Sequence, residues 1–155
     1  MEDDKFIQFI NCISDAFKNV VLEVSGLKFK ETGREVISDQ KKFSVIIGIV
    51  GKNKGRILFE GDNTTIKMIT ENMNEGPFGN MMDMYFCLAE FTNMFCGNAV
   101  TVLNNQYRGS DLRLTPPAIF AGTDMEISTP SIKSSSSFYT CDHGLVILDI
   151  GFEGE

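Results

Sequence analysis

Leu88-Ala89-Glu90-Phe91-Thr92-Asn93-Met94-Phe95-Cys96-Gly97-Asn98-Ala99 forms the middle of a long run with helical periodicity. At about 100° per residue, Met84, Leu88, Phe91, Phe95, Ala99 and Val102 share one stripe, bulky enough to seat a helix on a sheet. The opposite side carries Asp83, Phe86, Cys87, Glu90, Asn93, Met94, Gly97, Thr101 and Asn104, all within roughly 60° of Glu90. Residues i and i+3 project from the same helix face. Glu90 and Asn93 therefore offer an anion and a neutral hydrogen-bonding group to one partner. Such a pair suits a reaction that needs a docked cation and an oriented water rather than a nucleophile. A solvated helix face accounts for the same two residues without any function. Phe86 and Met94 on the same side favour a docking surface. Gly97 costs about 1 kcal/mol relative to alanine in a helix interior. It either opens the backbone to a partner or packs against a neighbouring element.

Working outward, the long helix is expected from about Asn80 to Tyr107, ended by Gly109. Before it, Asp62 or Asn63 caps a helix reaching about Met73, with Ile66, Ile69 and Met73 inward, and Glu75-Gly76-Pro77-Phe78-Gly79 breaks it. Phe43 to Val50 is a compact β-branched run, read as a strand buried on both faces or nearly so. Lys52-Asn53-Lys54-Gly55 supplies turn chemistry, and Arg56 to Phe59 returns as the second strand of a hairpin. That turn lacks the spacing of a phosphate-binding loop, and no helix follows its glycines. At the start of the chain, Phe6, Phe9, Ile13, Phe17, Val20 and Val24 recur at helical spacing from Asp3 or Asp4, with Gly26 as the stop. Leu27 to Gln40 is mixed and polar, with at most one irregular strand. Beyond the long helix, Leu112 to Phe120, Met125 to Ser128, Ser135 to Thr140 and Leu145 to Phe152 read as strands. Hairpins and successive strands predict an α+β fold: an antiparallel β-sheet with helices packed on it, one of them long, central and amphipathic. No repeat or boundary divides the 155 residues, so one domain over 1–155 is expected.

Composition narrows the function. A net charge of −7 argues against binding a nucleic-acid backbone or an anionic membrane surface, both of which attract clustered Lys and Arg. No apolar run approaches the ~20 residues of a membrane span. The acidic start, Met1-Glu2-Asp3-Asp4-Lys5, is unlike a secretory signal, so a cytoplasmic location is expected. Cys12, Cys87, Cys96 and Cys141 are scattered without a C-x-x-C pair and read as small core hydrophobes. His143 is the single histidine, which removes most metal sites and His-based triads. Its setting, Cys141-Asp142-His143-Gly144, reads as a polar turn between strands rather than a catalytic site.

The segment Leu88 to Ala99 resembles the E-x-x-N-x-x-x-G-N-A signature of the CheC/CheX/FliY phosphatases of bacterial chemotaxis. Gly51 to Phe59 is similar to the family's hairpin with its G-x-x-x-G turn, and Asp62 to Met73 to its short helix. Thr115-Pro116-Pro117-Ala118-Ile119-Phe120-Ala121-Gly122 resembles its S/T-x-P-x-x-x-x-G segment. Together these cover about Phe43 to Phe152. The resemblance implies hydrolysis of the aspartyl phosphate of a phosphorylated CheY-like receiver domain. Glu90 would pair with the receiver's active-site lysine, and Asn93 would orient the attacking water. Magnesium would sit on the receiver, with no cofactor or metal bound by this chain. CheC-type members carry a second E-x-x-N on the first helix, where this chain has Ser14-Asp15-Ala16-Phe17-Lys18-Asn19. One site per chain is the CheX pattern, which also implies a homodimer formed through sheet edges. A noncatalytic adaptor that binds a receiver through the same helix face is the alternative.

Overall fold

The apolar spacing from Phe6 to Val24 is realised as α1 (Asp3–Ser25), which ends at Gly26. Gly26 adopts the left-handed conformation, φ 71°, that glycine enters without a Cβ penalty, and its N–H donates to the Leu22 carbonyl. The computed structural model describes residues 1–35, 37, 41–123, 132–142 and 144–154. After α1 come β1 (Lys30–Thr32), β2 (Lys42–Val50) and β3 (Gly55–Asp62), then α2 (Asn63–Asn74) and α3 (Met81–Gln106). The chain continues through β4 (Arg113–Leu114), β5 (Ala118–Gly122), β6 (Ile132–Cys141) and β7 (Gly144–Glu153). The expected Met125 to Ser128 strand and the His143 turn lie outside the described residues.

Every strand pairing among the described residues is antiparallel. Among the described residues the seven strands form one sheet in the order β1-β6-β7-β3-β2, with β4 and β5 both on the far edge of β2. The β2–β3 hairpin places Phe59 opposite Val45 and Ile57 opposite Ile47, so the two strands share one inward face. The period of two then sends Phe43, Val45, Ile47, Ile57, Phe59, Leu148 and Ile150 into the core beneath α1 and α3. The other face carries paired charges. Ser44 Oγ donates to Glu60 Oε1 at 2.8 Å, and Lys42 Nζ lies 3.6 Å from the same oxygen. Arg56 Nη1 lies 2.6 Å from Asp149 Oδ1. Every residue of β2 is buried or half-buried, so the strand is covered on both faces as expected, apolar on one side and partly polar on the other.

Three expectations change. The Leu112 to Phe120 strand is divided, because Pro116 and Pro117 have no backbone N–H to continue the ladder. Thr115 spans the break: its N–H donates to the Gly48 carbonyl at 2.9 Å, while its hydroxyl accepts from the Gly48 N–H at 2.8 Å. A Cβ on Gly48 would stand 2.8 Å from that hydroxyl, so the clamp needs glycine there. On α3 the core stripe holds from Met84 through Ala99, but Val102 is 52% exposed. Near its C-terminus α3 turns Val102 into an open groove beside Cys12 and Asp15 of α1, and Leu103 takes the buried place. By length and composition α3 also passes as a membrane-crossing helix, contrary to the expected lack of such a run. Here its apolar side is covered by the sheet and α1.

The core centres on Phe17. Its ring centroid lies 5.5 Å from those of Phe29, Phe59 and Phe95, 5.3 Å from Tyr139 and 6.3 Å from Phe91. One side chain thus touches α3 and three strand-side partners. Phe17→Ala is expected to cost about 3–5 kcal/mol, as large core truncations do. Val102→Ala should stay within about 0.5 kcal/mol of the parent. Urea unfolding of the two variants measures both, and equal losses would contradict this assignment of the core.

Candidate functional site

The α3 helix begins where a cap residue allows it. Asn80 Oδ1 accepts from the Asp83 N–H at 2.9 Å, satisfying one of the free amides of the first turn. The preceding helix is capped in the same way by Asp62, which accepts from the Thr65 N–H at 2.7 Å. It ends at Glu75 in the left-handed region, φ 59°. With both helices anchored, the rotation of α3 is set by Leu88, Phe91, Phe95 and Ala99, all fully buried. Glu90 and Asn93 consequently stand on the outside, and both are exposed. Among the described residues, neither side chain makes a hydrogen bond or ion pair within the chain. A carboxylate and a carboxamide, three residues apart, are left with their full hydrogen-bonding capacity directed outward.

The surroundings differ along the helix. Phe86, one turn before Glu90, is 66% exposed, the largest exposure of any big apolar side chain described. Met94, one turn after, is only half-exposed and packs on the core. Gly97 has nothing within 4 Å of where a Cβ would lie, so no neighbouring element packs on it and the backbone there is open. Asn104, also expected on this face, instead clamps the chain after α3. Its Nδ2 donates to the Leu112 carbonyl at 3.0 Å, and its Oδ1 accepts from the Leu112 N–H at 2.8 Å.

Cys87 flanks Glu90 on the side of α2. It is half-buried, and its Sγ donates to the Thr70 carbonyl at 3.6 Å. Burial pushes the Cys87 thiol pKa up, and the negative charge of Glu90 pushes it the same way. This thiol is a packing group and not an activated nucleophile. Glu90, Cys87, Asp83 and Phe86 border a hollow of about 390 Å³ that is closed by Met73, Pro77 and Phe78. The sequence placed Asp83 on this face, but its sharing a hollow with Glu90 depends on the path of the α2–α3 connection. Periodicity carries no signal for that path. Among the described residues there is no group of three or more His, Cys, Asp or Glu able to hold a metal ion.

Residues 43–141, which include this site, match a family model described as chemotaxis phosphatase CheX. No curated protein matches the chain. Among solved structures, the chemotaxis protein CheX from Desulfovibrio desulfuricans is similar, with a TM-score of 0.82 at 18% identity, covering 94% of this chain and 99% of that one. A CheC-like superfamily protein from Shewanella sp. PV-4 gives a TM-score of 0.82 at 24% identity, covering 99% and 100%. The CheX–CheY–BeF3–Mg2+ complex from Borrelia burgdorferi gives 0.75 at 21% identity, covering 94% and 98%. At these identities the structural likeness establishes the fold.

Glu90→Gln removes one of the two influences that raise the Cys87 pKa. The thiol pKa should fall, its thiolate fraction at pH 8.5 should rise, and alkylation at Cys87 should speed up. Site-resolved mass spectrometry after timed iodoacetamide exposure measures this. An unchanged rate would mean that the Glu90 carboxylate does not sit beside Cys87.

Proposed function

Because the chain belongs to the CheX family of chemotaxis phosphatases, we propose that Glu90 and Asn93 form its working site and that its substrate is the aspartyl phosphate of a CheY-like receiver domain. The observation that carries this reading is the pair itself: exposed, adjacent and without an intramolecular partner, within the segment that matches the family. The related complex from Borrelia burgdorferi contains CheY, which supports a receiver as partner here.

In this reading Glu90 engages the ammonium of the receiver's active-site lysine as the two surfaces close. Asn93 enters beside the acyl phosphate. Its amide accepts a hydrogen from water through Oδ1 or donates to the water oxygen through Nδ2, holding that oxygen in line with phosphorus. The water oxygen bonds to phosphorus, the bond from phosphorus to the aspartyl oxygen breaks, and phosphate and a free carboxylate leave. An acyl phosphate is already activated, so positioning supplies most of what the catalyst must add. A carboxamide suits the task because it brings no negative charge towards the phosphoryl oxygens. Magnesium belongs to the receiver, in keeping with the Mg2+ of the related complex. Phe86, Met94 and Gly97 complete the contact surface. A cytoplasmic location and a homodimer joined at sheet edges belong to the same reading.

Asn93→Ala should lower the accelerated dephosphorylation by about 100-fold or more, the scale on which lost positioning acts, with an unchanged circular dichroism spectrum. Glu90→Ala should raise the half-saturating receiver concentration by about 30-fold, corresponding to some 2 kcal/mol for losing one partner of an interfacial charge pair. Both are read by following a phosphorylated CheY-like receiver over time. Full turnover by Asn93→Ala would sink the mechanism. Binding of the phosphorylated receiver without any shortening of its phosphoryl lifetime would establish the adaptor instead.

A further inference from the structure

Phe86 is a ridge between two hollows. On one side lies the space shared with Asp83 and Glu90. On the other, α3 and the edge strand β5 enclose about 620 Å³ lined by Met82, Tyr85, Ala89, Pro117, Ile119 and Ala121. The two hollows differ in chemistry. The first has two carboxylates on its rim, and Asp83 lies seven residues from Glu90, two turns along the same helix face. The second is walled by apolar groups, with Met82 57% exposed at its mouth and Ala121 exposed on its far wall. Tyr85 is held in place by Phe43, ring centroids 5.9 Å apart, so the floor of this hollow is fixed by the core.

We propose that these two hollows select the receiver. The apolar one takes an apolar side chain from the receiver surface beside its phosphorylation pocket, and the acidic one takes, at Asp83, a second basic side chain with an apolar stem, distinct from the lysine that Glu90 engages. The inference rests on the reading of Glu90 and Asn93 as the working site. Two arguments lead from that reading to the hollows. The first is continuity: Phe86, Glu90 and Asn93 follow one another along a single exposed stripe. A partner that covers the last two must meet the ridge and whatever flanks it. The second is charge. Asp83 and Glu90 make one side of the ridge anionic, and Met73, Pro77 and Phe78, which share the remaining walls with Asn74 and Gly79, suit the methylene stem of lysine or arginine. An exposed phenylalanine between two concavities also demands a complementary cleft in the partner, which a flat or convex surface lacks. Ala121, Met82 and Asp83 are therefore specificity-determining positions that do not touch the reacting atoms.

The division of labour between stripe and hollows has a kinetic signature. Filling the apolar hollow or reversing the charge of the other should weaken docking while leaving the in-line water undisturbed. For Ala121→Arg and for Asp83→Lys, the half-saturating concentration of the phosphorylated receiver should rise at least tenfold, with the saturated rate within about twofold of the parent. The Asp83→Lys defect should also be larger at low salt, because screening weakens the lost attraction. Phe86→Ala gives a third variant with no added bulk, and thermal unfolding of each confirms that the fold is retained.

The assay uses the full chain with a phosphorylated CheY-like receiver at varied concentration, and Asn93→Ala alongside. Unchanged half-saturation in Ala121→Arg and Asp83→Lys, with Asn93→Ala inactive, overturns the inference and leaves the working site standing. Full activity of Asn93→Ala overturns the underlying reading and the inference together. If Ala121→Arg converts a dimer to a monomer in sedimentation while kinetics stay the same, the apolar hollow is occupied by a second copy of this chain, and the proposal falls.

Discussion

The seating of α3 on the aromatic core is the constraint from which the site follows. Phe91 and Phe95 lie 5.4 Å apart by ring centroid and meet Phe59 of β3 at 5.7 and 5.8 Å. Phe17 of α1 closes the cluster from the other side, 5.5 Å from Phe95. Each large ring buried contributes about 1.5–3 kcal/mol of transfer free energy, and edge-on ring pairs add to it. A turn of α3 by one residue would expose these rings and drive Glu90 towards the interior, where an unpaired carboxylate is severely penalised. Packing energy of several side chains therefore fixes the direction in which two polar groups point.

The sheet supports that arrangement from below. Register is strict because β2, β3 and β7 each send one alternate set of apolar residues into the core, so a slip of one position would exchange Val45 and Phe59 for Ser44 and Glu60. The paired groups on the outer face then work as a second check. Glu60 has Ser44 and Lys42, and Asp149 has Arg56 and Ser136, only in the observed register. Neighbouring strands agree on both faces, and α3 rests on a surface that has one stable form.

Much of this was legible in the sequence, and what was not has physical causes. Period and caps revealed α1, the β2–β3 hairpin, α2 and α3, because the spacing around Phe17 and Phe91 and the stops and caps at Gly26 and Asp62 act locally. The Glu90–Asn93 pair was legible for the same reason: three residues in a helix define a shared face whatever lies around it. Val102 was misread because helical spacing says which residues align, not where the covering element ends. The break at Pro116–Pro117 was visible as residues, yet the Thr115–Gly48 clamp joins positions far apart in the chain. Gly97 was left open between two explanations, and only the empty space around it decides against packing. The hollows beside Phe86 were hidden altogether, since each is made by α3 together with a separate element.

A site of this kind is unfinished on its own. Its carboxylate and its amide are both exposed to solvent. In that state neither group can orient one particular water or favour one charge strongly, because bulk solvent competes for every hydrogen bond and screens every attraction. In the proposed reading, closure against a receiver changes the medium. Water is expelled, the carboxylate gains a single counter-charge, and the amide loses all but one geometry for its hydrogen bond. In that reading the working surface is created by the docking it depends on. A chain built this way has little reason to carry an activated nucleophile, and the raised thiol pKa of Cys87 beside Glu90 agrees with that economy. What the protein must supply is a rigid edge with the right two side chains on it. The buried rings of α3 are sufficient to hold that edge in place.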